Sequence, residues 1–448
     1  MHINHWMTFG TFSEQRFFIY PKKETYSGVI INGNMAVYAP DGLGQFILEK
    51  TDKLKYLIDP LTHAFQHDVE FLLSETKDGK KQVKSSIREL SDKLGPPISH
   101  IVGDRPIQPK DFRDKGLLKD FVINCLDFQL KQLSERMLDS DTNKKYLNFK
   151  NEELCPYALI TPYFYMEETT LDDWLPIQTE IIRLALEQKN SQKLFTAVVI
   201  DKGIISSKDH LDLVIQNLSK FDLDGYLIWV DDLNENETQT TNLKGLLALA
   251  KGLRKRPEQD IINLHGGYFS TLAAGTLGNG DFSGVAHGPE YGEFRSVVPI
   301  GGGIPIAKYY IRAIHKRTKY KEAIRAFRKK GWLKDSNSFH QNICNCQQCR
   351  QVIQNEVRNF VEFGTTTVKE VKRGTGIIRI EYPTTKTKEN CLLHYLQMKA
   401  EEYKFSGSAT KEELLEDLVK GITDFEDTFG SEGISHLKKW KSIFTSAS

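Results

Sequence analysis

The chain has no run of the roughly 18–20 consecutive apolar residues that a membrane-spanning helix needs. Its opening stretch, MHINHWMTFGTFSEQRFF, lacks the basic segment and apolar centre of a secretory signal, so a cytoplasmic protein is expected. Net charge is also missing: 60 Lys and Arg stand against 59 Asp and Glu. That balance excludes a broadly basic surface and confines any nucleic-acid contact to a local patch. There is no internal repeat or low-complexity tract, and a composition 40% hydrophobic and 27% charged excludes a disordered or fibrous chain. At about 150 residues per domain, 448 residues make two or three domains or one large barrel.

What is present is a recurrence of short apolar runs. Strands are expected at 27–38 (SGVIINGNMAVY), 56–59, 157–163, 195–201 (FTAVVID), 225–231 (GYLIWVD), 261–265 and 282–287. They read as continuous Val/Ile/Leu stretches, the pattern of parallel strands buried on both faces. Helical spacing lies between several of them, at 171–189, 207–221 and 241–253. This alternation predicts an α/β fold, an irregular (β/α)8 TIM barrel. Residues 66–150, rich in Lys, Asp and Ser, interrupt the rhythm and read as an insertion after the second of these strands. The expected organisation is a barrel over 1–340, a metal-binding subdomain over 341–400 and a helical tail over 401–448.

Polar residues end the predicted strands: Asp59, Thr161, Asp201, Asp231, His265 and His287. In a barrel the C-terminal strand ends form the active-site face, although aspartate at such a position also caps the following helix. Glycine-dense loops, His265-Gly266-Gly267, 282–293 and Gly301-Gly302-Gly303, let backbone amides approach a flat ligand, but none fits a dinucleotide or phosphate-loop fingerprint. Residues 308–334 hold eleven Lys and Arg against one Glu, with aromatics interleaved. Lys308, Arg312, Lys316, Arg317, Arg325, Arg328, Lys329 and Lys330 are the candidates for tracking a phosphate backbone; a solvated helix face is the alternative.

Of six cysteines, Cys344, Cys346 and Cys349 crowd into one short loop. That spacing puts three thiolates on one ion, and structural zinc wants a fourth ligand. His394, in a helix-like stretch, is the choice for it; Cys391, one turn earlier, competes.

With this C-x-C-x2-C…H pattern the sequence resembles the tRNA-guanine transglycosylase (TGT) superfamily, including DpdA-type DNA-modifying enzymes and TGT-like proteins of antiphage operons such as CBASS. Ile58-Asp59-Pro60 followed by Ala64-Phe65-Gln66 resembles the family's Asp-Ser-Gly-Gly-Phe-Gln segment, and 197–203 (AVVIDKG) its base-contacting strand. The resemblance covers most of 27–400. It implies an irregular (β/α)8 barrel, a structural zinc, and exchange of guanine for a 7-deazaguanine in DNA or tRNA. Departures accompany the matches. Ser283-Gly284 stands where the family's nucleophilic aspartate is expected, and Asp201 stands at the base-reading Gln.

Base exchange needs a carboxylate at the sugar carbon and a group to manage the purine's proton. Asp59 takes one role; Glu290, or Glu293, with His287 nearby, is expected to take the other. Asp201, Tyr163, Asp231, Gly266 and Gly267 are expected to bind the base, with Tyr268 as a second stacking face. The implied partners are nucleic acid, a 7-deazaguanine-type base, a protein partner from a defence operon and a second copy of the chain, with no membrane. A binding protein that has lost transfer chemistry is the competing reading.

Overall fold

The computed structural model describes residues 2–10, 26–47, 54–76, 78–139, 154–289, 293–298, 306–373 and 376–446. Eight parallel strands form its centre: β1 (Asn4–Phe9), β2 (Gly28–Asn32), β3 (Lys55–Asp59), β4 (Ala158–Ile160), β5 (Lys193–Ile200), β6 (Gly225–Val230), β7 (Asp260–Asn263) and β8 (Gly284–His287). They bond in the order β3-β2-β1-β8-β7-β6-β5-β4, so the first strand lies between the second and the eighth. A two-residue strand, Tyr165–Met166, adds to β5. The result is a nearly closed barrel-like parallel sheet surrounded by helices.

Strand alternation decides which side chains face the interior. Trp6, Ile30, Leu57, Ile160, Leu227 and Ala286 fill it, while their neighbours pack outward against the helices. Trp6 needs room across the sheet: a Cβ at Gly28 would lie 2.3 Å from its ring, so only glycine fits there.

β3 and β4 close the ring without a regular ladder. The Tyr157 N–H donates to the Tyr56 carbonyl at 2.8 Å; beyond that, side chains stand in for backbone. The Gln129 amide donates to the Ile160 carbonyl and accepts the Ile160 N–H, each at 2.7 Å. Gln66 does the same for Tyr165 at 3.0 and 2.6 Å. Gln129 lies on the helix Lys115–Asp139. The stretch read as an insertion therefore supplies both the helix between β3 and β4 and part of the seam.

Two expectations about strands change. β1 lies outside the predicted set. Residues 27–38 are a strand only to Asn32, after which Gly33–Tyr38 is helical. At Gly33 the chain presses on the end of β3, where a Cβ would lie 2.8 Å from the Asp59 carbonyl oxygen.

After β8 the chain forms a hairpin (Lys308–Ile311 and Lys316–Lys319), the helix Tyr320–Lys329, a cysteine-bearing turn, a second hairpin (Thr366–Arg373 and Gly376–Pro383) and the helix Thr385–Ser408. That last helix lies along β8 and β1: the Tyr403 hydroxyl donates to the Val285 carbonyl at 3.1 Å, and its ring stacks on His5 at 4.1 Å. The final helices fold back onto the body. His436 Nε2 bonds the Ile314 carbonyl at 2.8 Å, and the Trp440 indole donates to the Glu235 carbonyl at 3.2 Å. Among the described residues no helix is long and apolar enough to cross a membrane.

Candidate functional site

The C-terminal ends of the strands surround a small chamber lined by Asp59, His63, Trp229, His265 and Arg295, among others, with an enclosed volume of about 30 Å³. Asp59 is buried, and its Oδ1 accepts hydrogen bonds from the Tyr163 hydroxyl at 2.6 Å and the Leu61 N–H at 3.0 Å. Burial pushes the carboxyl above its usual range, against the lowering pull of Tyr163. The His63 ring stacks on Tyr163 at 5.2 Å and meets Trp229 edge-on at 5.1 Å. Burial holds His63 well below its ordinary pKa and His265 down at about 3, so both are neutral imidazoles at pH 7. Among the described residues His63 Nδ1 has no hydrogen-bond partner, nor does Nε2 of buried His67 nearby. Residues 293–298 lie across the opening. The Trp229 indole donates to the Arg295 carbonyl at 3.0 Å, and the Val297 N–H to Asp231 Oδ1 at 2.6 Å.

Asp59 and Tyr163 are thus brought together, with Asp231 beside them holding the covering segment. Asp201 is a helix cap: its oxygens accept the Ile204 N–H at 2.9 Å and the Glu168 N–H at 3.0 Å. Gly266 and Gly267 serve the chain's own packing. A Cβ at Gly266 would lie 2.4 Å from Val285, and at Gly267 2.7 Å from the Glu235 carboxylate. That buried carboxylate accepts the Ser270 hydroxyl at 2.5 Å and occupies the start of the helix Tyr268–Ala274. Tyr268 stacks on His315 at 3.5 Å, away from the chamber.

The expected catalytic role of His287 requires correction. Ala286 faces the barrel interior, so its neighbour faces out: His287 Nε2 lies 2.8 Å from His5 Nε2, and its ring meets Tyr395 edge-on. Ser283 precedes β8 and bonds Asp260 at 3.0 Å, at the opposite end of the barrel from Asp59. Glu290 lies outside the described residues. His63, Trp229 and Arg295 line the chamber and His67 lies beside it, at positions the sequence pattern does not single out. The one available signal was His63 and His67, four apart, directly after Asp59.

A second constellation is buried near the C-terminal hairpins. Cys344, Cys346, Cys349 and His394 offer ligand atoms that lie within 4.8 Å of one another and can hold a metal ion. His394 Nδ1 is 3.6, 3.4 and 3.4 Å from the three sulfurs in order. Its Nε2 donates to the Tyr310 carbonyl at 2.8 Å, which leaves Nδ1 as the unprotonated ligand nitrogen. Tyr309 stacks on the imidazole at 4.2 Å, and its hydroxyl lies 3.2 Å from Cys349 Sγ. Cys391 is excluded from the set, because its thiol donates to the Phe363 carbonyl at 3.3 Å and burial raises its pKa to about 12.

The cationic strip divides. The helix Tyr320–Lys329 buries Tyr320, Ala323, Ala326 and Phe327, which sets Arg325, Arg328 and Lys329 outward; Lys308 is exposed as well. Lys316 is half-buried, and Lys330 pairs with Asp427 at 2.8 Å. Two expected phosphate contacts turn inward. Arg317 lies 3.7 Å over the Tyr395 ring, and Arg312 pairs with Asp417 at 3.0 Å. Arg312 belongs to a buried network in which Glu402 pairs with Lys399 at 3.0 Å and His315 at 2.6 Å, and accepts the Tyr310 hydroxyl at 2.7 Å. Burial raises the Glu402 carboxyl, but Lys399, His315 and Arg312 outweigh it and bring the pKa to about 2.

Comparison with protein-family models and with curated proteins finds no match for this chain.

Proposed function

We propose that the chain is a TGT-like protein: a (β/α)8 barrel whose mouth binds a guanine or 7-deazaguanine base and exchanges it into nucleic acid, with structural zinc at the Cys3His cluster. The observation that carries the base site is Asp59, a buried carboxyl with raised pKa, held by Tyr163 and facing two neutral histidines and an indole. A carboxyl whose pKa is raised by burial is a better proton donor to a purine than an ordinary aspartate, and Trp229 offers a stacking face. The chamber as it stands, about 30 Å³, holds about two waters and is smaller than a purine base. Zinc is supported by the donor set. A tetrahedral ion with metal–sulfur and metal–nitrogen distances of about 2.3 and 2.0 Å separates those ligands by roughly 3.5 Å, matching the His394–cysteine spacings.

A binding protein without transfer chemistry, reading a deazaguanine on a nucleic acid or on a protein of a defence operon, is the second reading. It is favoured by a single carboxylate, Asp59, among the described residues that line the chamber. Incubation with nucleic acid and labelled base, followed by nucleoside mass spectrometry, separates the two. Incorporation that disappears in Asp59→Asn supports exchange; base binding without incorporation supports the second reading; neither refutes the site.

A further inference from the structure

We infer that the hairpin of residues 366–383 is an arm that enters the major groove of duplex DNA. Charge is the first support. Residues 306–400 carry twenty Lys and Arg against seven Asp and Glu, while the rest of the chain carries forty against fifty-two. Shape is the second. Among the described residues the strands Thr366–Arg373 and Gly376–Pro383 pair only with each other and expose both faces, with Val368, Ile377 and Ile378 at 60%, 69% and 36% exposure. An isolated two-stranded ribbon is marginal in water, so a surface this apolar calls for a covering partner.

Eight residues per strand give a ribbon roughly 26 Å long. The B-form major groove, about 12 Å wide, admits a two-stranded ribbon, whereas the narrow A-form groove of duplex RNA does not. The root of the hairpin adjoins the cationic strip. A Cβ at Gly364 would lie 2.0 Å from the Tyr320 ring, which brings exposed Lys319 and Lys321 beside it. At the base of the ribbon Lys369 reaches over Tyr382 at 5.4 Å, and across it Arg379 pairs with Glu370 at 3.1 Å. The arm names the polymer for the exchange proposed above and rests on that reading for chemistry alone; binding is measured without any exchange.

The test is fluorescence anisotropy with a duplex of about 25 base pairs, between roughly 50 and 200 mM salt. One variant replaces residues 368–381 by Asn-Gly; a second, Lys369→Gln with Arg379→Gln, removes two cations and puts no like charges opposite each other across the ribbon. Metal content serves as the folding check. Both variants are expected to weaken binding at least about tenfold; the log–log salt slope should fall by about two in the double variant and by up to about four in the shortened chain, which loses four Lys and Arg, while Lys119→Glu on the exposed face of a distant helix leaves binding unchanged. Absence of duplex binding, equal binding by the variants, equal affinity for duplex RNA, or a dimer that the shortened chain loses would each overturn the inference.

Discussion

Gln129 gives the sharpest test of how the barrel closes. It is 1% exposed and bonds both backbone groups of Ile160 at 2.7 Å while donating to the Cys125 carbonyl at 3.0 Å. Gln129→Ala strands a buried N–H and a buried C=O, each costing about 1–3 kcal/mol, and opens a cavity as well. The expected loss is about 3–6 kcal/mol, read as a lower urea midpoint at constant m. Gln129→Leu keeps the volume and isolates the hydrogen-bond part, about 2–4 kcal/mol. Amide exchange over Ala158–Ile160 should speed up in both variants. Gln129→Glu adds a sign: its carboxylate repels the Ile160 carbonyl, so stability should recover as acid protonates it into a donor. A leucine variant within about 1 kcal/mol of the parent, with unchanged exchange, would refute side-chain closure of the seam.

Metal analysis should give one zinc per chain, abolished by His394→Ala and retained by Cys391→Ser. Asp59→Asn should raise stability at neutral pH, because a carboxyl whose pKa is raised on folding favours the native state only while protonated. Denaturation across pH should show that gain vanish below the ordinary value of 3.8. Glu402 has the opposite sign. Its contribution is full above 4.5 and is lost as pH falls toward about 2, so Glu402→Gln should flatten the acid limb of the stability profile. Lys399→Met should cost about 3–5 kcal/mol by leaving Glu402 short of a partner, and pairing it with Glu402→Gln should recover part of that loss in a double-mutant cycle.

Buried parallel strands announce themselves as unbroken apolar runs, so β3 and β5 to β8 were legible to within a few residues. β1 was not: His5 faces a helix from the far end of the chain, and a polar residue buried by so distant a partner breaks the pattern. The Cys3His set was legible because thiolate spacing is local, and the structure chose His394 over Cys391 through a contact no spacing reveals. The mouth was half legible. Asp59 ends a strand, but whether a carboxylate caps a helix, as Asp201 does, or stays available in a chamber depends on neighbours brought in by the fold. His287 failed through parity: one residue along a strand reverses the side faced.

Residues 306–400 carry an excess of thirteen positive charges in a chain whose total is +1, and exposed Lys308, Lys319, Lys321, Arg325, Arg328 and Lys329 present part of that excess to solvent. A polyanion then draws that exposed face toward itself before contact. Orientation of this kind fades once the Debye length, about 8 Å at physiological salt, falls below the gap to be crossed. Association should therefore slow with added salt in a protein whose net charge alone predicts no such dependence.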